Sequence, residues 1–308
     1  MKWKKRVFTA VVLCFLLSSY TALLSQEKKE EGSSKIIIDL DSHSFQPGDI
    51  IKVTLFDSLG SVKFVQMSFQ ERKFPMIKTG DLQKFIAFIG LDLDQKPGNY
   101  YLYLNLLNED GQQQSKKEQI IVLPKEFPVK RLWVDEKFVT PPEDSLERIK
   151  RESELLSAIY GMYTPMWLGE GEFIIPSEGE MSPNFGERRI FNNQPRSPHS
   201  GTDISSPFGT DVKASNSGSV VVANHLYYAG KTVVIDHGLG VFSMYCHFSK
   251  ITVHIGDQVA KGDIIGEIGA TGRVTGPHLH WAFKISGSRV NPLSILQLDF
   301  SKERNNEM

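Results

Sequence analysis

Between Lys35 and Leu123 apolar residues gather in short runs, KIIIDL, IIKVTLF, VKFVQMSF, FIAFIGLDL, YYLYLNLLN and EQIIVL, separated by turn signals such as QPGD, KPGN and EDG. From Tyr101 to Leu107 the pattern alternates strictly and puts Leu102, Leu104 and Leu106 on one face of a strand. Short strands with frequent turns predict an antiparallel sandwich of immunoglobulin type over residues 35–125. That stretch has neither a cysteine pair nor a tryptophan, so the likeness is one of architecture. The period then changes. Leu146, Ile149, Leu156 and Ile159 recur near helical spacing, with Thr140 placed to cap the helix, Pro141 and Pro142 in its first turn, Glu143 three on and Gly161 as a stop. One amphipathic helix is expected inside a linker, 126–172, its charged face (Glu147, Arg148, Lys150, Arg151, Glu154) in water. From Phe173 glycine becomes dense and strand-like runs return until about residue 300, leaving a polar tail at 301–308. The reading is of a mostly β chain with two β-rich parts and a helix between them.

Length fits this reading, since 308 residues can build two separate cores at roughly 100–200 residues per domain. With 35 basic against 36 acidic residues no overall field points to nucleic acid or to an anionic membrane surface. The N-terminus does carry a local signal. Lys2, Lys4, Lys5 and Arg6 precede an uncharged apolar run from Val7 to Leu24, followed by a polar charged stretch. This is the layout of a secretory signal, so export to the periplasm, cell envelope or exterior is expected, with residues 1–25 as signal peptide or membrane anchor. Residues 7–24 are near the lower limit for a spanning helix, which keeps attachment through an uncleaved anchor as the alternative. Leu13 is bulky where a lipidated Cys14 would have a small residue. With Cys14 in the targeting segment, Cys246 has no partner for an internal disulfide and is expected as a small buried apolar side chain.

Most of the eight histidines fall between His199 and His280. Three short motifs hold them in suggestive company: HSGTD (His199 to Asp203), MYCHF (Met244 to Phe248) and HLH (His278 to His280). Residues i and i+2 of a strand share a face, so His278 and His280 can converge on one small object. Together the motifs offer four histidines and a carboxylate. An open catalytic zinc site takes three ligands of these types and keeps a fourth position for water, whose pKa then falls toward about 7. Spare imidazoles can move protons beside it. Any one of these motifs occurs freely by chance; their conjunction is what carries information.

These residues and their surroundings resemble the lysostaphin/LytM-type zinc metallopeptidases, which cut peptide bonds in bacterial cell-wall peptidoglycan. The resemblance runs through FIIPSEGEMSPNFGERR, PHSGTDISSPFGTDVKASNSGSVVVA, VVIDHGLGVFSMYCHF, VHIGDQVAKGDIIGEIGATGRVTGPHLHWAF and VNP. It implies an antiparallel β-sheet metallopeptidase domain over residues 173–300, with a groove and one zinc ion per chain at its floor. By the same resemblance His199, Asp203 and His280 are the zinc ligands, His247 and His278 handle protons, and peptidoglycan peptides are the partner. The region IGLDLDQKPGNYYLYL is similar to a β-sandwich domain that precedes the peptidase in some exported members. Cys246 fills a variable place, and the loop GERRIFNNQPRSPH is longer than in the simplest members.

Two rivals follow from the same residues. Some relatives have lost the ligands and activate other wall hydrolases without catalysis, whereas here all five site positions are filled. The hairpin VHIGDQVAKGDIIGEIG resembles biotinyl and lipoyl carriers, but Lys261 lacks the flanking residues of a carrier tip. His43, His225 and His254 are expected as loop, surface or strand residues, and His237 as a turn residue or one standing behind the site. The sandwich and helix are expected to position or restrain the peptidase.

Overall fold

The structure, a computed structural model, describes residues 35–80, 83–133, 135–136 and 139–300. The expected targeting segment with Cys14 and the tail at 301–308 lie outside the described residues. Among the described residues no helix is long and apolar enough to cross a membrane.

Seven strands come first: β1 (Ile36–Asp41), β2 (Ile50–Asp57), β3 (Val62–Phe69), β4 (Arg72–Lys78), β5 (Lys84–Gly90), β6 (Gly98–Asn108) and β7 (Gln113–Val122). They pair antiparallel in the order β1-β2-β5-β4-β3-β6-β7. β4 changes partner along its length, with Arg72 to Met76 against β3 and Ile77 and Lys78 against β5. The sheet folds over there, and its two halves close on a shared core that includes Val53, Leu55, Phe85 and Ala87 from one side and Val65, Met67, Leu102 and Leu104 from the other. The expected sandwich is therefore present, and its strand order follows the ABED and CFG arrangement of constant-type immunoglobulin sandwiches. β4 had no counterpart in the sequence reading, and Pro75 within it argues against a central strand. It is accommodated because that part of β4 pairs with β3 alone.

Next come β8 (Val129–Leu132), α1 (Glu143–Tyr160), β9 (Glu180–Ser182), β10 (Arg188–Phe191) and β11 (Gln194–Pro195). β8 lies in the stretch read as linker, yet it pairs in parallel with β10, which also pairs with β11. The helix departs from expectation at its start. Pro142, not Thr140, is the capping position, it makes no side-chain cap, and Thr140 Oγ1 bonds Glu136 instead. Glu143 and Asp144 in the first turn favour the positive helix end electrostatically. Gly161 ends the helix as read, although with a right-handed φ of −84°. The charged face is not simply solvated: Arg148 donates to the His225 carbonyl and Glu152 accepts from the Tyr227 N–H.

The last part holds β12 (Gly201–Ser205), β13 (Asp211–Lys213), β14 (Gly218–Leu226), β15 (Gly230–Asp236), β16 (Val241–Ile251), β17 (Gln258–Val259), β18 (Ile264–Ile268), β19 (Leu279–Ile285), β20 (Ser288–Val290) and the short helix α2 (Pro292–Ile295). Its main path is β17-β14-β15-β16-β19-β12-β9, antiparallel throughout. Leu279, Trp281 and Phe283 alternate along β19 into a core shared with Val233, Ile235 and Tyr245, which leaves His280 and Ala282 on the other face. The two β-rich parts share this core: Ile50, Ile86 and Phe88 of the sandwich are buried in it. The Phe88 ring lies 5.1 Å from Trp167, which stacks on Phe300 at 5.9 Å. Arg289 grips Asp92 at 2.6 Å and Asp94 at 2.7 Å across the same boundary.

Candidate metal centre

β12 and β19 run side by side with Asp203 directly opposite His280. That register explains why two residues 77 apart in sequence meet: His280 Nδ1 lies 2.9 Å from Asp203 Oδ1. His199 arrives differently. Four residues along a straight strand would separate it from Asp203 by about 13 Å, yet its Nε2 is 3.1 Å from Asp203 Oδ1 and 2.8 Å from His280 Nδ1. The chain therefore turns between His199 and the start of β12, and Gly201 is the residue that permits the packing. A Cβ there would meet the Trp281 carbonyl at 2.5 Å and the His280 ring at 2.7 Å. The glycine of HSGTD thus makes room for the imidazole of HLH.

Three candidate ligand atoms, His199 Nε2, Asp203 Oδ1 and His280 Nδ1, converge on one point. Tetrahedral zinc with bonds of about 2.0–2.1 Å places its ligand atoms roughly 3.3 Å apart, so small outward shifts of these three would accommodate the ion. Two imidazoles and one carboxylate suit zinc in kind as well. Asn184 holds the set in place. Its side-chain amide donates to Asp203 Oδ2 at 2.8 Å, its Oδ1 accepts from the Asp203 N–H, and its carbonyl accepts from His199 Nδ1 at 3.0 Å. Arg189 adds a contact of 3.3 Å to Asp203 Oδ2. Burial would raise the Asp203 carboxyl, but hydrogen bonds to His199 and His280 and their charges outweigh it and hold the group below the usual carboxylate range. Burial, with the charge of His199 beside it, lowers His280 and favours the neutral imidazole that a metal needs.

The remaining pair stands beside this trio. The His278 ring is 4.9 Å from that of His247, which is 6.1 Å from that of His280, and His278 Nε2 is 3.8 Å from Asp203 Oδ1. His247 occupies a break in β16, where the strand leaves β19 after Cys246 and takes up β18 at Phe248. Its φ of +68° is unusual for a residue with a Cβ, and a bulge of this kind re-aims a side chain. Each of the pair gives its Nδ1–H to a backbone carbonyl, His247 to Thr271 at 2.8 Å and His278 to Gly276 at 2.9 Å. The tautomer assigned from these partners leaves both Nε2 atoms bare. Burial, then the charges of His280 and His278, push His247 down to about 3.

The structure thus brings His199, Asp203, His280, His247 and His278 together, while Asn184, Arg189 and the packing role of Gly201 were not assigned from sequence. The signal for Asn184 and Arg189 lay in the stretch SPNFGERR, quoted as part of the resemblance without a role for either. The other histidines are elsewhere. His43, His225 and His254 are exposed, and His237 is buried in the core, its Nδ1–H on the Ser217 carbonyl and its Nε2 accepting from Ser243. Cys246 is buried, and burial pushes its thiol up to about 12, so it stays protonated. Lys261 is tied to the carbonyls of Glu170 and Glu172, which leaves no swinging arm for a carrier.

The family comparison agrees in position with this centre. Residues 197–292 match the model of peptidase family M23. The chain carries a peptidase family M23 domain. Over 120 residues the chain is 44% identical to the peptidoglycan DD-endopeptidase ShyA of Vibrio cholerae, a match that covers 39% of this chain and 28% of that protein. It is 41% identical over 97 residues to the DD-carboxypeptidase/endopeptidase Mpg of Neisseria meningitidis, covering 32% of this chain and 22% of the relative. The match to these curated relatives therefore spans under a third of their length. A solved peptidase M23 from Pseudomonas aeruginosa reaches further: at 29% identity and a TM-score of 0.63 it covers 83% of this chain and 96% of its own. Its coverage extends well beyond the M23 domain, so the two-part arrangement recurs there.

Proposed function

We propose that this chain is an exported zinc metalloendopeptidase that hydrolyses peptide bonds in bacterial cell-wall peptidoglycan. The observation that carries the reading is the meeting of His199 Nε2, Asp203 Oδ1 and His280 Nδ1 within about 3 Å of one another, flanked by two more imidazoles. Those three atoms would hold one zinc ion. When bound, zinc supplies Lewis acidity toward the scissile carbonyl and acidifies water. The bare Nε2 atoms of His247 and His278 take up the proton that water gives and return it to the leaving amine. Asn184 and Arg189 keep the Asp203 carboxylate oriented through their contacts to its Oδ2. The peptidoglycan substrate is suggested by the printed names of the relatives. The export signal rests on Lys2 to Leu24.

The rival reading, a non-enzymatic activator of other wall hydrolases, would be favoured by a centre that had lost ligands or proton-handling groups. Nothing is missing here from either set. The deciding experiment measures zinc content of the chain from about Ser33, then incubates it with purified sacculi and identifies released fragments by mass spectrometry. About one zinc per chain and fragments ending at one type of peptide bond are expected. A chain that binds zinc and releases nothing, while raising the activity of a second hydrolase, would favour the activator.

A further inference from the structure

Beyond the metal centre, on the same face of the sheet, the structure holds a cavity of about 920 Å³. Its floor includes Met244 and Ala282, and Ser200, the neighbour of His199, lines it too. One wall is the end of α1 and the other is β4 of the sandwich. Among the described residues Arg72, Lys73 and Lys284 line this cavity, and no Asp or Glu does. Lys284 is the informative one. Its Nζ lies 5.7 Å from the centroid of the Tyr160 ring, and it makes no ion pair among the described residues. Asp92, the carboxylate whose field reaches it, is already gripped by Arg289.

We propose that this cavity is a subsite for a carboxylate carried by the peptide substrate, with Lys284 as the residue that selects it. The position suits such a role. Lys284 follows His280 by four residues along β19, about 13 Å at 3.3 Å per residue. An extended peptide crossing the metal centre reaches that point about four residues from the scissile bond. An amine half withdrawn from water and lacking an anion is a costly arrangement, which a substrate carboxylate relieves through a charge-assisted hydrogen bond. Burial, joined by the charge of Arg289, already pulls the Lys284 amine down to about 8. The serine hydroxyls of the lining, Ser153, Ser157 and Ser200, can donate to the same anion. In this arrangement the sandwich and α1 help to build the substrate site.

The proposal rests on the peptidase reading for the identity of the carboxylate's carrier, and its test separates the two. Stem-type peptides of one sequence are prepared with their side-chain carboxylates either free or amidated. Binding to the full zinc-loaded chain is followed by fluorescence anisotropy in a His278→Ala background, where turnover is suppressed, and kcat/KM is measured in the unaltered chain. The free acid is expected to bind about tenfold more tightly than the amide. Lys284→Gln should abolish that preference and Lys284→Arg should keep most of it, both with an unchanged circular dichroism spectrum. Equal binding of the two peptides, or a preference that survives Lys284→Gln, overturns the subsite even if both peptides are cut. A Lys284-dependent preference in a chain that cuts neither peptide supports the subsite and sinks the peptidase reading instead.

Discussion

Asp203 is the residue on which the centre turns, because it touches both candidate ligand imidazoles and is itself held by Asn184. Asp203→Ala should abolish zinc binding, whereas Asn184→Ala should weaken it by about 10- to 100-fold, the usual cost of losing a group that orients a ligand. Competition against a fluorescent chelator distinguishes the two, and undiminished affinity in Asn184→Ala would remove its assigned role. His247→Ala and His278→Ala should retain the metal and lose about 10² to 10⁴ in turnover; a variant that sheds zinc as Asp203→Ala does would belong among the ligands. The clustering of the five candidate residues was legible because HSGTD, MYCHF and HLH put uncommon side chains at short spacings. Asn184 was not, since an asparagine two residues before a glycine reads as a turn, and only the fold shows its amide on Asp203. His237 makes a separate prediction at this scale. Burial lowers it to about 4, against an ordinary value near 6.5, so the unfolded chain binds its proton first as pH falls. Its contribution is intact above about pH 6.5 and is lost progressively down to about pH 4, a swing of up to roughly 3 kcal/mol. Denaturant unfolding of the chain and of His237→Asn between pH 4 and 7 should show a shallower slope in the variant; equal slopes would mean that His237 does not carry this linkage.

Among the elements, β16 shows how local strain and function meet. Leaving β19 for β18 requires an irregular residue, and the chain puts His247 there at a φ of +68° instead of a glycine. A non-glycine residue in this region costs on the order of 1–2 kcal/mol. His247→Gly should therefore unfold at higher denaturant than His247→Ala, by about 1 kcal/mol, although both lose turnover. The reverse order would show that the bulge relaxes when the histidine is removed. From sequence, GVFSMYCHF reads as one strand, and nothing in it marks the change of partner. The helix α1 was legible in its existence and its end but not in its cap, since Thr140 is drawn to Glu136 and two prolines keep the chain extended before Glu143. Its apolar stripe misled in part: Ile159 is buried, but Leu146 remains 51% exposed, because the helix meets the sheet only near its C-terminal end. What fixes the other end is polar, through Arg148 and Glu152 on the β14–β15 hairpin.

Across the whole molecule, the two β-rich stretches read from the sequence meet over a buried apolar boundary. Separate runs of strands can be read from periodicity, whereas the burial of Ile50, Ile86 and Phe88 in the core of the other part depends on tertiary placement, and alternation alone cannot say which core a residue joins. The contact is apolar at Phe88, Trp167, Phe173 and Phe300, and it is clamped at its rim by Arg289 on Asp92 and Asp94 and by Arg188 on Asp94 at 2.8 Å. A boundary of this kind couples the parts energetically, so they should unfold together in one cooperative transition. Phe88→Ala tests this from the sandwich side. Removing a fully buried phenylalanine costs about 3–5 kcal/mol, and if the cores are shared, the loss should lower the unfolding midpoint reported by zinc release as much as that reported by far-UV circular dichroism. Arg289→Ala should move both midpoints in the same direction by a smaller amount, about 1–3 kcal/mol for the charged hydrogen bonds it removes. A zinc-release midpoint that stays put while the sandwich signal shifts would mean that the domain holding His199, Asp203 and His280 stands alone, and with it would go the idea that β4 of the sandwich forms a fixed wall of the substrate cavity.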